Sequence, residues 1–209
     1  AENSDNYQID FDYEKELSHH KIELSTKLFF NNIKNLITLA KSPNSEIYTY
    51  FNLGEYKTKG ISTSLNVSSS NFNFTLAANN TGRYNNLSEE NNIMKFSYST
   101  AYNTSFNYTL PKYYLTTSIY YNYTGKLPIF YQNSDNQIIQ AEVESYQIFD
   151  LILKKAFGTG KINISLGVKN LFNIQNISSF SSSNAHSSSS NRQSIAYGRT
   201  FFSSLKFNL

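Results

Sequence analysis

The sequence predicts an all-β chain, an antiparallel transmembrane β-barrel wall of about nine strands, on three observations. Apolar residues recur with a period of two almost throughout, the signature of half-exposed strands. The composition is poor in hydrophobic residues, at 39%, yet rich in aromatics, with 17 Tyr and 16 Phe in 209 residues. The connections between alternating segments are sorted, short ones taking turns with long ones.

The elements follow in order. The first, about 6–17, sets Tyr7, Ile9, Phe11 and Tyr13 against Gln8, Asp10, Asp12 and Glu14. The next, 21–39, sets Ile22, Leu24, Leu28 and Phe30 against Glu23, Ser25 and Lys27. A third spans 46–67. In the fourth, 71–84, Phe72, Phe74, Leu76 and Ala78 alternate with Asn71, Asn73, Thr75 and Ala77. The fifth, 93–110, is the clearest: Phe96, Tyr98, Tyr102, Phe106, Tyr108 and Leu110 share one parity, and Ser97, Ser99, Asn103, Ser105 and Asn107 the other. The segments 113–124, 145–157, 161–171 and 198–209 complete the set, with Ile162, Ile164, Leu166 and Val168 against Asn163, Ser165, Gly167 and Lys169 in the eighth. Several exceed the 5–6 residues of an average globular strand.

Short turns are expected at 18–20, 68–70, 111–112 and 158–160, and long loops at 40–45, 85–92, 125–144 and 172–197. Short turns at one end and long loops at the other are the layout of a bacterial outer-membrane barrel. In hydrocarbon every backbone polar group must be paired, so a spanning sheet closes on itself. Its outer face is apolar with aromatic girdles, and its interior tolerates Asn, Ser, Lys and Asp. A secreted β-sandwich adhesin would also alternate, but it has no reason to sort its loops. Single-chain bacterial barrels have even strand numbers, so nine strands predict part of a larger barrel, with a small self-contained barrel as the alternative.

Composition narrows function further. The formal charge is +3, with no basic run to suggest nucleic acid. There is no Cys, so no disulfide framework and no Cys-based zinc site. No apolar stretch of about 18 residues encodes a membrane helix. The series Asp10, Asp12, Glu14 and Glu16 lies along one strand about 7 Å apart, which suits a polar wall; no nucleophile or base accompanies it, and no catalysis is expected. His19 and His20 belong to a short turn. Gly158-Thr159-Gly160 is a hairpin turn, not a phosphate loop. Asn73, Asn103, Asn107 and Asn163 stand in Asn-x-Ser/Thr triplets, which a chain this rich in those residues produces by chance.

Three phrases resemble TonB-dependent receptors of the outer membrane. Glu2-Asn3-Ser4-Asp5-Asn6-Tyr7-Gln8-Ile9 is similar to the phrase opening a late barrel strand in that family. Phe51-Asn52-Leu53-Gly54-Glu55-Tyr56-Lys57-Thr58-Lys59-Gly60-Ile61 is similar to another of its strands. Gly167-Val168-Lys169-Asn170-Leu171-Phe172-Asn173, followed after a loop by Tyr197-Gly198-Arg199-Thr200-Phe201-Phe202 and a final alternating strand, resembles the family's ending. The Asn- and Lys-rich wording and Ala185-His186-Ser187 look like receptors of the Bacteroidetes type.

The resemblance implies that residues 1–209 form the C-terminal part of a 22-strand barrel that binds and imports a scarce solute: an iron chelate, haem, cobalamin or a glycan. It implies the outer membrane as location, its lipid as surroundings, and the remaining barrel and a plug segment as partners, with the TonB complex acting through that plug. Nothing in the chain resembles the plug, and Leu209 stands where such strands commonly end in an aromatic. No resident cofactor is expected. Binding residues concentrate on loops held by a rigid scaffold, so the candidates for ligand contact are Tyr131, His186, Arg192 and Tyr197. Tyr and Arg anchor interfaces, and His is the usual nitrogen ligand of haem or metal.

Overall fold

Alternation becomes a two-faced wall in the computed structural model, which describes residues 1–41, 48–85, 96–132, 138–181 and 191–208. Nine long strands run in order: β1 (Asn3–Leu17), β2 (His20–Lys41), β3 (Tyr48–Ser69), β4 (Phe72–Asn85), β5 (Ser97–Leu110), β6 (Leu115–Thr124), β9 (Tyr146–Phe157), β10 (Ile162–Lys169) and β13 (Thr200–Phe207). Four short ones lie between them: β7 (Leu127–Gln132), β8 (Ile138–Val143), β11 (Asn176–Ser181) and β12 (Asn191–Ser194). Each long strand pairs antiparallel with the next long strand, from β1 to β13. Among the described residues β1 pairs only with β2, and β13 only with β10, so the wall has two open edges.

Directly opposed residues in antiparallel strands share a face, so the register sorts the side chains. One row crosses eight strands as Ile22–Val67–Phe74–Phe106–Ile119–Leu151–Val168–Phe201. The adjacent row on the other face reads Glu14–Glu23–Asn66–Thr75–Ser105–Tyr120–Asp150. The first face is mostly apolar, and its large side chains stay uncovered: Ile9 is 70% exposed, Leu166 55% and Phe201 75%. A contiguous apolar face of that extent is a surface built for lipid or a partner.

The polar face satisfies itself by short-range bonding. Lys21 sits between Glu14 at 2.9 Å and Glu23 at 2.6 Å. Asn66 donates to Glu23 at 2.7 Å and accepts from Asn73 and Thr75, both at 3.2 Å. Lys27 lies 3.8 Å from Asp10. The acidic series on β1 is thus partly neutralised by lysines on β2, as ordinary wall.

Three strand glycines lie under aromatic rings of their direct cross-strand partners. A Cβ on Gly60 would come within 2.8 Å of the Phe29 ring, and one on Gly82 within 2.7 Å of Tyr98; one on Gly167 would run into Phe202. The ring covers backbone that the missing side chain leaves bare.

The short turns are those the sequence predicts: 18–19, 70–71, and two 3-10 turns at Pro111–Tyr113 and Gly158–Gly160. His20 packs against Phe72 at 5.9 Å between ring centroids, consistent with a structural place in its turn. The buried side chains gather at the opposite, long-loop end. They include Ala40, Leu53, Tyr84, Asn85, Ala141, Val143 and Ile177. The middle of the wall has no such core among the described residues.

Candidate functional site

The long-loop end is where groups converge. The segments 125–144 and 172–197, read from sequence as loops, contain β7, β8, β11 and β12, which form one antiparallel four-stranded ribbon. Period two explains it: Leu127, Ile129, Ala141, Val143 and Ile177 share one face of the ribbon, and three of them are buried. Lys126 pairs with Glu142 at 3.4 Å, and Glu144 accepts from the Ser178 backbone N–H at 3.0 Å.

The ribbon reaches back along the rim. Gly125, just after β6, donates its N–H to the Thr100 carbonyl at 2.8 Å. From there β7 runs to the end of β2, where Tyr131 pairs in parallel with Lys41. Six residues of strand cover about 20 Å, and four strand spacings from β6 to β2 cover about 19 Å. The span and the strand match. On the way Phe130 meets Phe51 edge-on at 5.5 Å, and Asn85 donates to Gln140 at 2.6 Å. The rim of β2–β4 and the ribbon therefore hold each other.

The second clasp lies where β10 and β13 leave the wall. Asn170 adopts φ 52°, and its side chain both donates to the Ile174 carbonyl at 2.6 Å and accepts from the Ile174 N–H at 3.0 Å. Asn173, at φ 59°, accepts from the Arg199 N–H at 2.9 Å, and the Arg199 side chain donates to the Leu171 carbonyl at 2.9 Å. Asn is among the few non-glycine residues that visit this left-handed region readily. Phe172 packs on Phe149, with ring centroids 5.8 Å apart. The last of the three phrases that carry the family resemblance is thus turn chemistry that closes the last hairpin.

The four ligand-contact candidates are placed as follows. Tyr131 lies on β7 and Arg192 on β12, the two outer strands of the ribbon, with only their backbones described. Tyr131 opposes Ile139, whereas Arg192 opposes Ser178 near the root of the ribbon. Three strand spacings across and about five residues along put them roughly 20 Å apart. Tyr197 is fully exposed, and His186 lies outside the described residues.

Sequence reasoning passed over Arg83. The register sets Asn31, Thr58, Arg83 and Ser97 in one polar-face row across β2–β5, two residues below the Asn85–Gln140 contact. Asn31 donates to Thr58 at 2.9 Å, and the Arg83 guanidinium lies beside the Tyr56 hydroxyl. Arg83 Nη1 is buried and has no hydrogen-bond partner. The signal available in sequence was parity alone: Arg83 shares it with Asn73, Thr75 and Asn79. Two hollows also mark the wall, about 400 Å³ beside His19 and His20 and about 240 Å³ beside Ser64 and Ala77; both are open. No group of three His, Asp or Glu able to hold a metal occurs among the described residues.

Comparison with known proteins agrees with this architecture. FrpB, an iron transporter from Neisseria meningitidis, matches 99% of the chain at 14% identity with a TM-score of 0.60. FpvAI in its complex with pyocin S2 matches 85% at 16% identity with a TM-score of 0.58. FpvA of P. aeruginosa bound to heterologous pyoverdines matches 85% at 14% identity with a TM-score of 0.52. The chain spans 30%, 24% and 28% of those three proteins respectively. At such identities the likeness is one of fold. No curated protein matches the chain. The family model described as "TonB dependent receptor-like, beta-barrel" matches residues 1–171, most of the wall, and the chain belongs to that family.

Proposed function

We propose that the chain is the C-terminal section of the barrel of an outer-membrane receptor, and that the whole receptor binds a scarce solute outside the cell and imports it with energy passed on by TonB. The supporting observation is the two-faced register: an uncovered apolar face backed by a hydrogen-bonded polar face. That combination suits lipid on one side and a filled lumen on the other. The short turns face the periplasm, and the ribbon with its flanking loops faces outward. The partners are the rest of the barrel, its plug segment and, through the plug, the TonB complex.

An iron chelate is the leading solute. FrpB is an iron transporter and FpvA binds pyoverdines, and the family provides the common frame. Haem, cobalamin and glycans are the other members of the class. Tyr131, His186, Arg192 and Tyr197 are the proposed loop contacts, spread over the ribbon and its connections rather than gathered at one point.

Two measurements test this. Cysteine at Ile164, in the intact receptor in cells, is expected to resist a membrane-impermeant thiol reagent; rapid labelling there contradicts the lipid-facing assignment. Deleting 182–190, which lies between β11 and β12, is expected to weaken iron-limited growth without lowering the amount of receptor in the membrane. Unchanged growth makes that loop a spacer, and intact haem-dependent growth in His186→Ala removes haem ligation by His186.

A further inference from the structure

We propose that Arg83, with Tyr56 beside it, is a subsite for a carboxylate-type oxyanion at the mouth of the barrel, and that the oxyanion belongs to the transported solute. The inference rests on the transport reading above and narrows it to anionic solutes.

A guanidinium carries five N–H donors in a fixed fork that matches the two oxygens of a carboxylate. The Arg83 guanidinium lies beside the Tyr56 hydroxyl, while its Nη1 is buried with no hydrogen-bond partner. A buried donor left unmade is rare and calls for an explanation. Among the described residues the neighbourhood does not supply one. The row through Arg83 is Asn31, Thr58 and Ser97; the row below it is Phe29, Gly60, Thr81 and Ser99; the row above holds Ile33, Tyr56 and Asn85. No carboxylate stands in any of the three.

The nearby acids among the described residues are committed elsewhere. Asp10 and Glu14 face Lys27 and Lys21, and Glu55, of opposite parity to Arg83's face, pairs with Lys57 at 2.9 Å. Arg83 is therefore a cation on a hydrogen-bonding wall without a counter-charge among the described residues. Its position adds direction. Asn85, two residues on, is tied to Gln140 of the ribbon at 2.6 Å, so Arg83 lies just below the place where ribbon and wall meet.

The same chemistry has a second source, a carboxylate of the plug, and the test separates the two. Citrate is the probe, titrated by calorimetry into the intact receptor and into the receptor lacking its plug, as wild type, Arg83→Gln and Arg83→Lys. Heat-modifiable migration on gels checks that each variant is folded. The proposal expects citrate to bind the intact wild type, about 10- to 100-fold more weakly to Arg83→Gln, with Arg83→Lys between because a lysine cannot offer the fork. Equal binding to all three, or no binding to the wild type, overturns it. Citrate binding that is Arg83-dependent but appears only once the plug is removed assigns the counter-charge to the plug and overturns the solute assignment. Failure of the underlying reading looks different: deleting the whole receptor then leaves iron-limited growth unchanged, whereas failure of the subsite alone leaves growth receptor-dependent and insensitive to Arg83→Gln.

Discussion

Replacing Leu166 by Arg tests the membrane assignment at its most sensitive point. Leu166 stands between Leu153 and Ser203 on the apolar face and is 55% exposed. It follows the turn residue Gly160 by six positions, about 20 Å of strand. At a tilt near 40° that is roughly 15 Å above the short turns, within a few Å of the middle of an apolar band about 25 Å tall. A guanidinium there is expected to cost about 2–4 kcal/mol, against about 0–1 kcal/mol close to an interface. Ile162, on the same face beside the turn, supplies the interface control. Ser165, the next residue on the polar face, supplies the lumen control, where Arg is expected to cost little. The assay is guanidinium-induced unfolding of the intact receptor in lipid vesicles, followed by circular dichroism. A loss at Ser165→Arg equal to that at Leu166→Arg refutes the face assignment. A larger loss at Ile162→Arg than at Leu166→Arg refutes the depth.

Three further outcomes follow from the local geometry. Asn170→Ala removes two bonds to Ile174 and places a Cβ-bearing residue without local compensation at φ 52°, so about 2–4 kcal/mol of stability is expected to go; Asn170→Gly, which tolerates that φ, should lose about half as much in the same unfolding assay. Gly167→Val drives a side chain into the Phe202 ring and is expected to cost about 1–3 kcal/mol, part of which Phe202→Ala should restore in a double-mutant cycle; strict additivity refutes the contact. Among the described residues the strands β1 and β13 present unpaired edges, an association hazard for residues 1–209 alone. That chain is expected to elute from a sizing column in detergent as mixed oligomers, and a monodisperse heat-modifiable monomer favours the small self-contained barrel instead.

The wall was legible because its signal is local. In β5, parity alone assigns Phe106 and Asn107 to opposite faces, and the register agrees. The ribbon was not legible for a physical reason. Leu127, Ile129, Ala141, Val143 and Ile177 alternate as strand residues should, but in runs of only six, one containing Pro128 and others set among Asn and Ser. Six residues with such flanks read as loop. What makes them strands is a pairing between two distant segments, Val143 with Ser179, and no local pattern announces it. The same holds for Arg83: its face follows from parity, but the burial of Nη1 depends on three dimensions. The four loop candidates were chosen by residue type, and type does not say that Tyr131 and Arg192 lie at opposite edges of one ribbon.

The difference between what identifies this family and what would identify its solute has a structural origin. The family match covers the strands of residues 1–171, and Asn170, Asn173, Gly198 and Arg199 close the last hairpin with left-handed residues and capping amides. Both belong to the build of the wall, so under the proposed function they carry no information about cargo. Under the proposed function cargo is met by the ribbon, the rim and the polar face, where the requirement is a donor or charge in a place that depends on the solute. Those positions have no fixed neighbours in sequence: Arg83 lies beside Tyr56, 27 residues before it, and close under Asn85 and Gln140, joined across 55 residues. A change of solute is therefore expected to rewrite the Asn31–Thr58–Arg83–Ser97 row and the ribbon while leaving the Asn170–Asn173 clasp untouched. Exchanging the 170–199 clasp residues for those of another family member should preserve solute choice, and exchanging the polar-face row should alter it. Uptake measured with both exchanges decides the matter, and a solute switch that follows the clasp refutes this division.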